Sequence, residues 1–156
     1  MIDIASTAVI AGDAYWWQGS LMTIKARAAD TSGALGLVEG RFYQGFGPPL
    51  HVHHREDEGM LVLEGEIRFR QGTEEFIAGP GTLVWAPREV PHAFTVQSPT
   101  ARALVIVTPG GFEEMFAAGG VPVSESTEPP ALGYDPEAAR AIAAQFGFEV
   151  IGPQLT

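Results

Sequence analysis

Histidines and carboxylates of the kind that bind divalent metal ions are concentrated at positions 51–58. On a β-strand, residues two apart project to the same side, so His51 and His53 point together and His54 points away from them. Two neutral imidazoles side by side suit a metal ion, which takes nitrogen donors at about 2.0–2.1 Å if it resembles zinc. The spacing therefore predicts a metal site with these two histidines as ligands.

A carboxylate from the same segment could complete the ligand set, as it does in non-haem iron sites. Strict alternation from His53 selects Asp57 as that ligand. A bend in the chain after Arg55 would instead bring round Glu58, on the face of Met60. The spacing alone leaves both alternatives open.

The remaining histidine, His92, follows Val90-Pro91 at the start of another apolar stretch. The sequence has 4 histidines, and the other three belong to the first group. An antiparallel partner strand would bring His92 beside His51 and His53, which would offer three imidazoles to one ion.

Short strands separated by glycine and proline turns are predicted for most of the chain. Gly 19 and Pro 12 make the sequence rich in turns, which favours short strands over long helices. The predicted strands are Leu21–Ala28, Leu35–Tyr43, Met60–Leu63, Ile67–Gln71, Phe76-Ile77, Thr82–Ala86, Ala93–Val96 and Ala103–Thr108. Their even spacing indicates an antiparallel sandwich or barrel.

The last part of the chain has a different pattern, typical of two helices. Phe112–Ala118 is predicted as a short helix closed by glycines. A second helix is predicted to begin at Asp135-Pro136-Glu137 and to run to about Phe146, with Gly147 at its C-terminus. Its apolar face can pack against the barrel and comprises Ala139, Ile142, Ala143 and Phe146.

Length, charge and cysteine content exclude several classes of protein. The 156 residues are the size of one domain, and the absence of cysteine excludes disulfides, thiolate metal sites and cysteine nucleophiles. The formal net charge of -10 repels phosphate backbones and anionic lipid, so we expect neither nucleic acid nor membrane as a partner. Met1–Ala11 lacks the basic region of a secretory signal, and the expected location is the cytoplasm.

The first histidine group stands inside a longer pattern. It reads Gly45, five residues, His51-Val52-His53, four residues, Glu58, six residues and Gly65. In order and spacing it resembles the first conserved motif of the cupin superfamily, and every fixed position of that motif matches.

The second histidine stands in a pattern that resembles the second cupin motif. It reads Gly81, five residues, Pro87-Arg88-Glu89, two residues, His92, three residues and Val96. Glu89 replaces a glycine of the motif and Val96 an asparagine, and neither position is a metal ligand in the family. The two motifs together span about a third of the chain.

The resemblance implies an all-β fold, the double-stranded β-helix or jelly-roll barrel of the cupins. We expect a single cupin domain over residues 1–156. Residues 21–110 would form the barrel, and residues 111–156 would form a short C-terminal helical extension that packs on it.

The resemblance also implies a metal-ligand set. Carried over position by position, the family's ligands fall on His51, His53, Glu58 and His92. The resemblance therefore selects Glu58 over Asp57. The set would hold one divalent ion per chain: iron, manganese, nickel, cobalt, copper or zinc. His54 would face away from the metal, and Arg55, Glu56 and Asp57 would form a solvated loop.

Further stretches resemble the quercetin dioxygenase-like cupins: residues 46–58, Trp16-Trp17 and residues 109–116. That subgroup implies an O2-dependent dioxygenase acting on a small aromatic or enolic, flavonol-like substrate, with Glu58 as metal ligand or general base. It also implies a homodimer. The alternatives are a metal-dependent isomerase, cyclase or lyase that uses no O2, or a non-catalytic cupin that binds a small molecule. The candidates for an apolar substrate pocket are Trp16, Trp17, Phe42, Phe46, Met60, Trp85 and Phe94.

Overall fold

Two antiparallel β-sheets face each other and enclose the apolar core. The computed structural model describes residues 12–125, 128–130 and 136–156. Within these residues one sheet has seven strands and the other has five. This arrangement confirms the predicted all-β jelly-roll with a short C-terminal helical extension.

The larger sheet has the strand order β11-β1-β2-β3-β10-β5-β8. With the strands numbered in chain order, its members are β1 Asp13–Trp17, β2 Ser20–Ala26, β3 Gly36–Tyr43, β5 Asp57–Glu64, β8 Leu83–Ala86, β10 Thr100–Thr108 and β11 Val121–Pro122. The smaller sheet has the order β12-β4-β9-β6-β7. Its members are β4 Pro49–His53, β6 Ile67–Gln71, β7 Glu74–Ala78, β9 His92–Val96 and β12 Phe148–Gln154.

Alternation along the strands turns one side of each sheet to the core. In β10, the buried residues Ala101, Ala103, Val105 and Val107 alternate with more exposed ones. A strand buried on one face should show this period of two. Side chains of the same kind from β2, β3, β5, β6 and β9 meet those of β10 between the sheets.

The predicted strands match the observed ones to within a few residues, but their list did not include β1, β11 or β12, and β4 was predicted only through its two histidines. The stretch predicted to run on to Ala28 leaves the sheet after Ala26, and Ala28–Asp30 forms a short 3-10 turn. β12 contains Gly152-Pro153, a pair that reads as a chain break in the sequence.

The chain after the barrel forms helices α1 Glu114–Gly119 and α2 Pro136–Phe146, as predicted to within two residues. Ile142 and Phe146 of α2 pack against the core, as their predicted apolar face requires. The predicted helix start at Asp135 lies outside the described residues. The tail also supplies β12, which pairs with β4, so it is part of the smaller sheet as well as a helical extension.

No helix in the described part of the chain is long and apolar enough to cross a membrane.

Leu83 and Trp85 of β8 lie on the outer side of the larger sheet and are 54% and 42% exposed. The homodimer expected from the sequence stays a prediction.

Glu113 joins the start of α1 to the 3-10 turn. Its side chain is fully buried. Oε1 accepts a hydrogen bond from the backbone N–H of Ala28 at 2.6 Å, and Oε2 accepts one from Gly111 at 2.6 Å. A buried carboxylate with two backbone donors therefore holds the first residues of α1 against the barrel.

Replacing Glu113 by alanine should destabilise the fold, because two partly buried backbone N–H groups would lose their acceptors. We expect the E113A variant to lose about 2–4 kcal/mol of unfolding free energy in urea titrations. The matched control is E64A, whose exposed carboxylate pairs with Arg102 at the surface and should cost under about 1 kcal/mol. Equal losses in the two variants would show that the Glu113 contacts do not hold α1.

Candidate metal centre

His51 and His92 face each other across two paired strands of the smaller sheet. The antiparallel pairing of β4 with β9 places the two residues directly opposite each other. The ring centroids lie 4.4 Å apart. His53 lies two residues along β4 on the same side, with its ring centroid 5.0 Å from that of His51. The structure therefore places these three imidazoles side by side.

Glu58 reaches the three histidines from the opposite sheet. It lies on β5, and its Oε2 atom is 2.8 Å from Nε2 of His53 and 3.3 Å from Nε2 of His92. One possible ligand atom from each of these four residues lies within 4.8 Å of all the others. Two ligands of one zinc-like ion stand at most about 4.2 Å apart. The group is therefore close to the size of a metal coordination sphere.

Hydrogen bonds at the outer nitrogens orient the three imidazoles. Nδ1 of His51 donates to the carbonyl oxygen of Pro49 at 2.8 Å, and Nδ1 of His92 donates to that of Val90 at 3.0 Å. A carbonyl oxygen can only accept, so each of these Nδ1 atoms carries the hydrogen. In the neutral rings the lone pair is therefore on Nε2, the nitrogen that points into the group.

For His53 the acceptor at Nδ1 is a buried carboxylate. Oε1 of Glu56 lies 2.6 Å from Nδ1 of His53, and Glu56 is only 4% exposed. The expectation that Glu56 belongs to a solvated loop was therefore wrong. A bend at residues 54–55 places this carboxylate next to the imidazole. A charged residue within a hydrophilic run gives no signal of such burial in the sequence.

The inner nitrogen of His53 has the environment expected of a metal ligand. It is buried and makes no hydrogen bond of acceptable geometry, although Oε2 of Glu58 is close in distance. Buried polar atoms rarely stay unpaired in a folded protein. A divalent cation between the four side chains would satisfy this atom, so the residues present fit a metal ion.

The charges inside the site differ from residue to residue. Burial and the neighbouring His92 and His53 lower the pKa of His51 to about 3, so this ring is neutral. Burial also opposes a charge on His53, but the carboxylates of Glu56 and Glu58 outweigh it and raise the pKa of His53 to about 9. Burial likewise opposes a charge on Glu58, but His53 and His92 hold the pKa of that carboxyl well below its usual range. Without a metal, the centre therefore contains a carboxylate–imidazolium pair.

The position where Glu89 replaces the motif glycine keeps a glycine-like backbone. Its φ is 67°, in the left-handed region that favours glycine. The backbone N–H of Glu89 donates to the carbonyl oxygen of His53 at 2.8 Å, which holds the loop before His92 against β4. Val96, the other departure from the motif, is 1% exposed and packs in the core.

The two remaining charged candidates of the first group point away from the centre. His54 is exposed, and its ring nitrogens lie 3.0 Å and 3.2 Å from carboxylate oxygens of Glu89 and Glu149. Asp57 accepts hydrogen bonds from the backbone and side chain of Arg88. The bend that the sequence left open is present, so it is Glu58 that faces the histidines.

A cavity of about 80 Å³ opens beside His51 and Glu58. Five of the seven predicted pocket residues line it: Trp17, Phe42, Phe46, Met60 and Phe94. Trp85 instead lies on the outer side of the larger sheet, and Trp16 lines a separate surface depression. Neighbouring strand residues point to opposite faces, which separates Trp16 from Trp17. Phe112 and Phe116, which would touch substrate if the tail covers the barrel mouth, also line the cavity.

The protein is a jelly-roll barrel in which three histidines and one glutamate point inward, an arrangement typical of metal-binding β-barrels. A cupin domain model matches residues 40–109, which include all four of these residues. Residues 40–109, a little under half of the chain, are therefore similar to the cupin domain.

The curated relatives with significant similarity include an oxygenase. A quercetin 2,3-dioxygenase from Bacillus subtilis is 26% identical over 119 residues, which make up 76% of this chain and 35% of that protein. The chain spans about a third of the length of the curated relatives it matches.

Solved structures of similar fold include KdgF from a Halomonas species and an RmlC-like cupin from Shewanella frigidimarina. The KdgF match has a TM-score of 0.56 at 22% identity and covers 61% of this chain and 84% of that one. The RmlC-like match has a TM-score of 0.56 at 17% identity and covers 64% and 86%. At these identities the likeness concerns the fold.

Replacing Glu56 by glutamine should weaken metal binding, because His53 would lose its charged acceptor. We expect the E56Q variant to bind a divalent ion with a Kd about 10–100 times higher, measured by competition with a chromophoric chelator. The matched control is H54A, which removes an exposed neighbour and should leave the Kd unchanged. Unchanged affinity in E56Q would show that Glu56 does not position His53.

Metal binding should also release a proton, because a metal and a proton compete for Nε2 of His53. With its pKa raised to about 9, His53 is protonated at pH 7.5 in the metal-free protein. Affinity should therefore rise about tenfold per pH unit between pH 7 and pH 8. Calorimetry in buffers of different ionisation enthalpy should count about one proton released per ion at pH 7.5. A count of zero would contradict a charged His53.

Proposed function

We propose that this protein is a metal-dependent dioxygenase acting on a small aromatic or enolic molecule. The observation that carries the proposal is the position of the four-residue group beside an apolar cavity. Two of its members, His51 and Glu58, form part of the cavity wall. A molecule held in the cavity would therefore lie directly against the metal position.

The residues of the site have distinct parts in this proposal. His51, His53 and His92 would hold the ion through nitrogens whose orientation is set by Pro49, Glu56 and Val90. A redox-active divalent ion supplies Lewis acidity and electron transfer for the reaction of O2 with an enolate. Glu58, which belongs to the four-residue group and lines the cavity, would accept the proton of the substrate hydroxyl or act as a fourth ligand.

The cavity walls would serve the same chemistry by excluding water. Phe42, Phe46 and Phe94 form a cluster with ring centroids 5.1–6.1 Å apart, and all three line the cavity. An apolar enclosure strengthens the attraction between an anionic substrate and a cation. The similarity to quercetin 2,3-dioxygenases supports an oxygenase over other cupin activities, although it covers only part of those proteins.

Oxygen consumption in the presence of an enolic substrate tests the proposal. We expect protein loaded in turn with iron, manganese, nickel, cobalt, copper or zinc to consume O2 with at least one redox-active ion and not with zinc. Replacing Glu58 by glutamine should lower the rate by about 100-fold or more, because the proton acceptor is lost. Metal content measured on the same samples separates loss of the base from loss of the ion.

The matched control for that experiment is H54A, which should consume O2 at the wild-type rate. Metal-dependent conversion of the substrate without O2 consumption would replace the dioxygenase by an isomerase, cyclase or lyase. Binding without conversion under any metal would indicate a non-catalytic cupin.

A further inference from the structure

The space beside the candidate metal centre is small for a ligand site. The cavity against His51 and Glu58 measures about 80 Å³, and an adjoining cavity of about 80 Å³ shares Trp17, Phe46 and Phe112 with it. Binding sites for drug-sized molecules measure roughly 300–1,000 Å³. Even taken together, the two cavities fit only a compact molecule.

The walls of this space are almost entirely apolar. Most of the cavity against the metal position is lined by aromatic rings, methionines and other apolar side chains: Met22, Phe42, Phe46, Pro48, Met60, Phe94, Val105, Phe112, Met115 and Phe116. Among the described residues that line the two cavities, those with polar side-chain atoms are His51, Glu58, Trp17 and Gln18. The first two belong to the metal centre.

The wall that the tail contributes to this space is anchored to the barrel. Met115 and Phe116 belong to α1, whose start is held by the buried Glu113 carboxylate. Phe148 of β12 lies next to His53 by strand pairing and lines the adjoining cavity. The tail thus closes the space with packed elements of the fold.

We propose that the substrate is a compact, mainly apolar molecule whose oxygen atoms are gathered at one end, such as a small enolic hydroxyketone. This inference rests on the proposed function and narrows its substrate class. The gathered oxygens would face His51 and Glu58, and the remainder would contact mainly carbon and sulfur, with Trp17 and Gln18 as the other polar side chains in the walls. A polyhydroxylated flavonol or a sugar fits poorly, because its distant hydroxyls would be buried without hydrogen-bond partners.

Three probes with the same hydroxyketone unit test the inference. Maltol carries this unit on a single small ring, 3-hydroxyflavone adds large apolar rings, and quercetin adds hydroxyls to those rings. We expect maltol to bind most tightly in calorimetric titrations of the Co(II)-loaded protein. 3-Hydroxyflavone should bind at least about tenfold more weakly because of its size, and quercetin about tenfold more weakly again because of its unpaired hydroxyls.

A variant of the cavity wall separates size from polarity. Replacing Met115 by alanine enlarges the space and should improve binding of 3-hydroxyflavone relative to maltol, while quercetin stays the weakest of the three. The matched control is I77A, on the outer side of β7, where the side chain is 58% exposed. This variant should leave the order and the ratios unchanged.

The result that would overturn the inference is quercetin binding as tightly as maltol or 3-hydroxyflavone. The titrations are repeated on metal-free protein, where the same order must follow if the walls set it. If the order holds but no probe supports O2 consumption with any metal, the dioxygenase proposal fails and the substrate class stands. If O2 is consumed with quercetin in preference to maltol, the dioxygenase stands and the substrate class fails.

Discussion

The site depends on one constraint: three imidazoles must present an unprotonated nitrogen to the same point. An unconstrained imidazole can place its hydrogen on either nitrogen and can rotate about its side-chain bonds. Here, hydrogen bonds at Nδ1 remove both freedoms. For His51 and His92 the acceptor is the carbonyl two residues earlier in the chain, so the local backbone supplies it. For His53 the acceptor is Glu56, whose negative charge raises the pKa of this imidazole.

The smaller sheet joins this constraint to the rest of the fold. β9 brings His92 opposite His51, and β12 lies on the other side of β4, where Phe148 is opposite His53. The same tail contributes Phe112, Met115 and Phe116 to the wall of the cavity. Metal position and substrate space are therefore built from neighbouring elements, and a change that loosens the tail would alter both. The buried Glu113 is one of the polar contacts that limit such loosening.

The choice between Asp57 and Glu58 shows how far spacing alone can predict a site. Strict alternation pointed to Asp57, but alternation holds only inside a continuous strand. Residues 54–56 lie between β4 and β5, so the count restarts at Asp57 and Glu58 becomes the inward residue. The cupin resemblance selected Glu58 because the motif fixes the number of residues between the histidines and the glutamate, and that number includes the turn. Strand alternation alone could not make this choice, because a turn changes the side of the sheet to which the next side chain points.

The sequence by itself determined which residues have metal-binding chemistry, where most strands run and which side of β4 carries the two histidines. These properties are local, since they follow from side-chain type and from the period of two along a strand. Only the tertiary structure decided that Glu56 is buried, that β12 borders the site, that Trp17 and not Trp16 or Trp85 reaches the cavity, and how large that cavity is. Each of these depends on contacts between residues far apart in the chain. The periodicity of one segment determines neither its pairing partners nor its packing.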